Sequence, residues 1–150
     1  MKNAVYAMIA GLVLVLSAGS AWATSPEDAL KYRKAVYQVY KWNMDAMAAM
    51  ARGEAPFDAE RFALHAGRIN AMREDAIEGY VENSAIGDTT SKPEIWSQWD
   101  AFMQRQNAFE QEIGKLAETA AGGDARAIRA QFGAVGQSCK ACHDDFRVSR

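Results

Sequence analysis

Cys139-Lys140-Ala141-Cys142-His143, close to the C-terminal end of a 150-residue chain, is the stretch from which the fold is read. Two cysteines with two residues between them and a histidine directly after form the attachment pattern of a c-type haem. On a helix advancing about 100° per residue, positions i, i+3 and i+4 share one face. Two thioether-forming sulfurs on that face grip one porphyrin edge while the adjacent imidazole turns a nitrogen onto the iron, so a single short stretch supplies both tether and axial ligand. A redox dithiol is the alternative, but it would want a neighbouring βαβ pattern. A structural zinc would want four ligands, and the chain holds only one other histidine, His65.

The N-terminal segment points the same way. Lys2 gives a positive start, Val5 to Leu16 is nearly unbroken apolar chain, and Ala21-Trp22-Ala23 has the small-x-small form of a secretory cleavage site. The apolar run is shorter than the ~20 residues of a bilayer span. Residues 1–23 are therefore expected to be a cleaved signal peptide, with no membrane insertion afterwards. Bacteria attach haem covalently outside the cytoplasmic membrane, so the expected compartment is the periplasm.

Residues 24–150 suffice for one domain with a single core. If both cysteines carry haem no disulfide remains, and stability must come from helix packing and the cofactor. With 17 Lys and Arg against 19 Asp and Glu, the surface is mildly acidic and gives no reason to expect nucleic-acid binding.

Four helical stretches follow along the chain, with no convincing strand. The first opens at Ser25-Pro26-Glu27-Asp28, a capping serine followed by proline and acids, and should run to about Arg52 before Gly53. Leu30, Val36, Tyr37, Tyr40, Met44, Met47 and Ala51 recur on it at helical spacing. The second should begin near Asp58, carry Phe62, Ala66, Ile69, Met72, Ile77 and Tyr80, and fade at Asn83-Ser84. The third should start at Pro93 and end at Gly122-Gly123; the fourth is capped by Asp124 and carries Ile128, Phe132, Val135, Cys139, Cys142 and Phe146. The expected fold is an all-α, antiparallel four-helix bundle with haem held near the C-terminus, an architecture that builds cofactor sites from facing helices.

Three stretches carry a resemblance: Pro26-Glu27-Asp28-Ala29-Leu30-Lys31-Tyr32-Arg33, Pro93-Glu94-Ile95-Trp96-Ser97, and Val135 through Arg147, with its Cys-Lys-x-Cys-His-x-x-aromatic-Arg form. On these the chain resembles the cytochromes c′, the class II c-type cytochromes. The resemblance implies one covalent haem c per chain, attached at Cys139 and Cys142, with His143 as axial iron ligand. It further implies a high-spin, five-coordinate iron that binds nitric oxide and carbon monoxide, and a homodimer packed through the first two helices.

In that family a bulky side chain of the first helix shields the open face of the haem, and counting from Lys31-Tyr32-Arg33 puts Tyr37 there. A neutral phenol is a poor iron ligand at neutral pH, so the implied role is a steric gate. The same resemblance has Arg33 meet a haem propionate, with Lys34 and Thr90 assisting. Arg147, four residues after His143 on a neighbouring part of the same face, corresponds to the family's basic residue on the proximal side, where it influences the histidine. Each arginine also has a plainer reading, Arg33 as a solvated charge and Arg147 as a favourable cation at a helix C-terminus. Met44, seven residues past Tyr37, and His65 are the competing sixth ligands. Methionines are more often gap-filling core residues, and a lone histidine is more often a surface or satisfied core group.

Two functions follow from these expectations. One is a periplasmic gas-binding haem protein concerned with nitric-oxide binding or protection; the other is a low-potential periplasmic electron carrier working with redox partner proteins. No nucleophile or acid–base pair stands in a recognisable motif, so the chain is not expected to be an enzyme.

Overall fold

The computed structural model describes residues 24–149; the expected signal peptide lies outside them. Six helices follow in order: α1 (Pro26–Arg52), α2 (Ala59–Ala71), α3 (Asp75–Glu78), α4 (Glu94–Ser97), α5 (Trp99–Ala121) and α6 (Ala125–Phe146). The four long ones, α1, α2, α5 and α6, form the bundle. Among the described residues no helix is long and apolar enough to cross a membrane.

Local chemistry sets most helix ends. The Ser25 hydroxyl accepts from the Asp28 amide at 3.1 Å, and Glu27 and Asp28 meet the positive end of the helix dipole. Gly53 closes α1 at φ 78°, in the left-handed region, and its N–H turns back to Ala49 and Met50 carbonyls. Asp58 caps α2 by accepting from Arg61, and Asp124 caps α6 by accepting from Ala127.

Along α1 the buried positions are Ala29, Arg33, Val36, Tyr40, Asn43, Met47 and Met50. Alternating steps of four and three make a seam with a period near 3.5, the pattern by which antiparallel helices pack at a shallow angle. Closely packed pairs are α5 with α6, α2 with α5, α1 with α2 and α1 with α3. The main core joins Val36, Tyr40, Met47, Phe62, Ile69, Ile113, Leu116, Ile128 and Val135. Each such side chain contributes about 1.5–3 kcal/mol on burial. A smaller cluster of Tyr80, Ile95, Phe102 and Phe146 lies apart from it.

Two helix boundaries differ from the sequence expectation. The second helix stops at Ala71 and resumes only as the four-residue α3, because side chains of other helices take the intervening carbonyls. Tyr40 of α1 donates its hydroxyl to the Met72 carbonyl, and Gln106 of α5 donates to the Arg73 carbonyl at 2.7 Å. The third helix is interrupted at Gln98 (φ −123°, ψ 43°). Its first turn, α4, is pinned separately, since the Trp96 indole donates to the Val81 carbonyl at 2.8 Å.

Arg33 ties α1 to the segment after α3. One terminal nitrogen donates to the Gly79 carbonyl at 2.8 Å and the Ser84 hydroxyl at 2.9 Å, and the other donates to the Ser84 carbonyl at 2.6 Å. The guanidinium also lies over the rings of Tyr80 and Trp96. At 1% exposure it is no solvated surface charge, and burial lowers its pKa. The close approach needs glycine at 79: an added Cβ would fall 2.5 Å from the Arg33 Cβ and 2.8 Å from the Ala29 carbonyl oxygen. Gly79→Ala is accordingly expected to lower unfolding stability by about 1–3 kcal/mol through overpacking, read as a lower urea midpoint; an unchanged midpoint would show that α1 and α3 can separate freely.

Candidate functional site

The haem-motif residues lie on the last two turns of α6, and the local backbone is held from outside the helix. Lys92 donates its Nζ to the Asp144 and Asp145 carbonyls at 3.1 and 2.8 Å, placing a cation on the negative end of α6. Just beyond, an isolated antiparallel bridge pairs Ser91 with Arg147. Lys92 N–H donates to the Phe146 carbonyl and Val148 N–H to the Thr90 carbonyl, at 2.9 and 2.8 Å. The loop before α4 is thus stitched to the end of the motif helix.

Cys139 and Cys142 are free, half-buried thiols lining a cavity of about 570 Å³, within the 300–1,000 Å³ range usual for small-molecule and cofactor sites. Burial is the main cause that raises both thiol pKa values, Cys142 to about 11. The depressed pKa that activates a redox dithiol is therefore missing. His143 lines the same cavity, and burial followed by the Arg147 charge lowers its pKa, which favours the neutral imidazole that binds metals. Among the described residues no three or more His, Cys, Asp or Glu side chains are grouped to hold a bare metal ion.

All eight residues singled out from the sequence line this one cavity: Arg33, Lys34 and Tyr37 from α1, Thr90 from the loop, and Cys139, Cys142, His143 and Arg147 from the C-terminal end. Tyr37 reaches in from α1, its ring edge-on to Tyr40 at 5.6 Å and its hydroxyl 3.3 Å from that of Tyr80. Burial, then the neighbouring Tyr80, pushes its pKa well above the ordinary phenol range, so it stays a neutral phenol across physiological pH. Lys34 donates to the Asp88 carbonyl at 2.9 Å on the cavity rim. Arg33 reaches the cavity wall with both terminal nitrogens already bonded to the protein's own acceptors.

Of the competing ligands, Met44 lines the cavity as well, and His65 does not. His65 sits on the α1–α2 seam, where its Nδ1 lies 2.9 Å from the Asn43 side-chain oxygen. The Asn43 amide nitrogen is turned to the Val39 carbonyl, so that oxygen faces the ring as acceptor and Nδ1 carries the proton. His65 is a satisfied core histidine.

Several cavity residues were not foreseen. Periodicity places Tyr80 on an apolar helix face, whereas the helix break before α3 puts it at the cavity. Arg105 lines the wall and pairs its Nε with Asp145 at 2.8 Å; nothing in its sequence neighbourhood marks it. Ile95, Phe102, Phe109 and Phe146 give the interior an apolar lining. The whole donor set fits a covalently held haem: two thiols and an imidazole on one helix, an apolar chamber of suitable volume, and cations at its edge for acidic substituents.

Comparison with known proteins agrees. The family model described as Cytochrome C′ matches residues 28–147. A cytochrome c′ of Halomonas halodenitrificans is 41% identical over 129 residues, covering 82% of this chain and 98% of that protein. The solved cytochrome c prime from Shewanella frigidimarina superposes with a TM-score of 0.81 at 33% identity, covering 85% of this chain and 99% of that one. A nitric oxide complex of a leucine-to-alanine mutant of cytochrome c prime from Alcaligenes xylosoxidans superposes with a TM-score of 0.78 at 34% identity, covering 85% and 99%. With its fold, its cavity and its sequence in accord, the chain belongs to the cytochrome c′ family, whose cofactor is covalently bound haem c.

Proposed function

We propose that this chain is a periplasmic haem protein that reversibly binds small diatomic gases, nitric oxide and carbon monoxide, on the side of the haem facing Tyr37. The carrying observation is that His143 and Tyr37 line one cavity from two helices, α6 and α1, that are not closely packed on each other, with His143 its sole imidazole. The solved nitric oxide complex of the Alcaligenes xylosoxidans relative supports the same ligand class. Haem held by Cys139 and Cys142 would take the His143 imidazole as its iron ligand and would supply the iron that binds a gas.

The chain's own residues set the selectivity. Tyr37 as a neutral phenol is a weak ligand and a bulky one, so it stands as a gate rather than a sixth ligand. The apolar lining penalises charged or strongly hydrated ligands, which lose their water on the way in. Arg147 and Arg105 put cations near the motif helix; on the α1 side Lys34, together with the charge of Arg33, whose terminal nitrogens are bonded to Gly79 and Ser84, would favour the haem carboxylates. The reading offered is binding rather than catalysis.

A second reading has one observation in its favour. Met44 lines the cavity two helical turns along from Tyr37, and methionine ligation would give a six-coordinate, electron-transferring cytochrome. The steric gate distinguishes the two. Tyr37→Ala is expected to speed carbon monoxide association with the ferrous protein by tenfold or more, about 1.4 kcal/mol off the barrier. An unchanged rate in stopped-flow absorbance would remove Tyr37 from the gate.

We also propose that two copies pair through α1 and α2. Tyr32, Val39 and Trp42 share a face of α1 at steps of seven and three, Trp42 is 73% exposed, and Leu64 of α2 is 53% exposed. Such a cluster is costly to leave in water and is the kind of patch that marks an interface. Trp42→Glu is expected to convert the dimer to a monomer in sedimentation velocity with its helicity retained; a persistent dimer would put the interface elsewhere.

A further inference from the structure

We propose that Tyr80 is a positioning residue for the gas side of the cavity: its hydroxyl donates to the Tyr37 oxygen and leaves Tyr37's own proton to donate to the outer atom of a bound ligand. The inference rests on the gas-binding reading above and adds a polar element to an otherwise steric gate.

Tyr80 comes from the segment just past α3 and its hydroxyl lies 3.3 Å from that of Tyr37. Its ring is held on several sides, by Phe102 at 4.9 Å, Trp96 at 5.8 Å and the Arg33 guanidinium 5.0 Å from the ring centre. In that aromatic setting the Tyr80 proton has one acceptor among the described residues, the Tyr37 oxygen. A phenol has a single proton, and leaving it unpaired in a buried place costs about 1–3 kcal/mol. The pair is therefore satisfied when Tyr80 donates and Tyr37 accepts.

Among the described residues Tyr37 then donates no hydrogen bond of its own, and it lines the cavity. Being donated to makes its own O–H a stronger donor, since linked hydroxyls polarise one another. Burial keeps that proton in place, because the Tyr37 pKa lies well above the ordinary value. The result is a donor aimed into an apolar chamber, where a hydrogen bond is electrostatically stronger than in water. It favours ligands whose outer atom gathers negative charge over the nearly apolar carbon monoxide. Arg33 enters twice, fixing the Tyr80 ring by its charge and the backbone beside it through the Gly79 carbonyl.

Tyr80→Phe keeps the ring and its packing and removes only the hydroxyl, so a structural role alone would leave ligand spectroscopy untouched. The readout is the infrared carbon–oxygen stretch of carbon monoxide on the ferrous holoprotein, compared among the unaltered protein, Tyr80→Phe, Tyr37→Phe and the double variant. A donor at the outer oxygen draws electron density onto the ligand and lowers the stretch. Tyr37→Phe should raise it, Tyr80→Phe should raise it by a smaller amount or split the band, and the double variant should match Tyr37→Phe. A Tyr80→Phe band identical to the unaltered one, or a Tyr37→Phe band that does not move, overturns the inference. Absence of any carbon monoxide band in the unaltered protein overturns the gas-binding reading and this inference with it.

Discussion

Three side chains on one stretch of α6 must face the same empty space, and the rest of the fold accommodates that demand. Cys139, Cys142 and His143 are set by helical periodicity alone, but they can serve a large planar group only if space is left open beside them. The bundle meets this by closing α6 on α5, α5 on α2 and α2 on α1, while α1 and α6 stay apart beside the motif. The core that holds the four long helices, from Phe62 and Ile69 to Ile128 and Val135, keeps that opening from collapsing.

An opening of this kind puts particular weight on how α1 is held, since α1 carries the residues of the opposite wall. Arg33 is the principal device. A buried guanidinium is expensive unless its donors are satisfied, and here the Gly79 carbonyl, the Ser84 hydroxyl and the Ser84 carbonyl satisfy it while Tyr80 and Trp96 cover its faces. The same contacts bring Tyr80 against Tyr37, so the clamp that fixes α1 also shapes the surface met by a ligand. Structural and ligand-facing roles of Arg33 are in this sense one arrangement.

Much of this was legible in the sequence because it is local. The limits of α1 follow from Ser25, Pro26 and Gly53, the start of α6 from Asp124, and the motif face from residue spacing. What escaped was imposed from a distance. No pattern within residues 72–74 announces a break, because it arises from the Tyr40 hydroxyl and the Gln106 amide bonding to the Met72 and Arg73 carbonyls. Arg33 and Asn43 occupy seam positions of α1, yet a search for apolar periodicity passes over polar residues whose partners lie on other elements. Tyr80 and Arg105 were missed as cavity residues for the same reason, whereas Tyr37 was found because family resemblance supplied the tertiary information that periodicity lacks.

On the proposed reading α6 gives the iron one protein ligand and α1 gives it a gate. The electron paramagnetic resonance spectrum of the ferric holoprotein at neutral pH tests this most directly, because it reports the strength of whatever occupies the sixth position. With His143 as sole protein ligand and Tyr37 neutral, a high-spin ferric signal is expected. A purely low-spin spectrum, as a Met44 sulfur on the iron would produce, would contradict it.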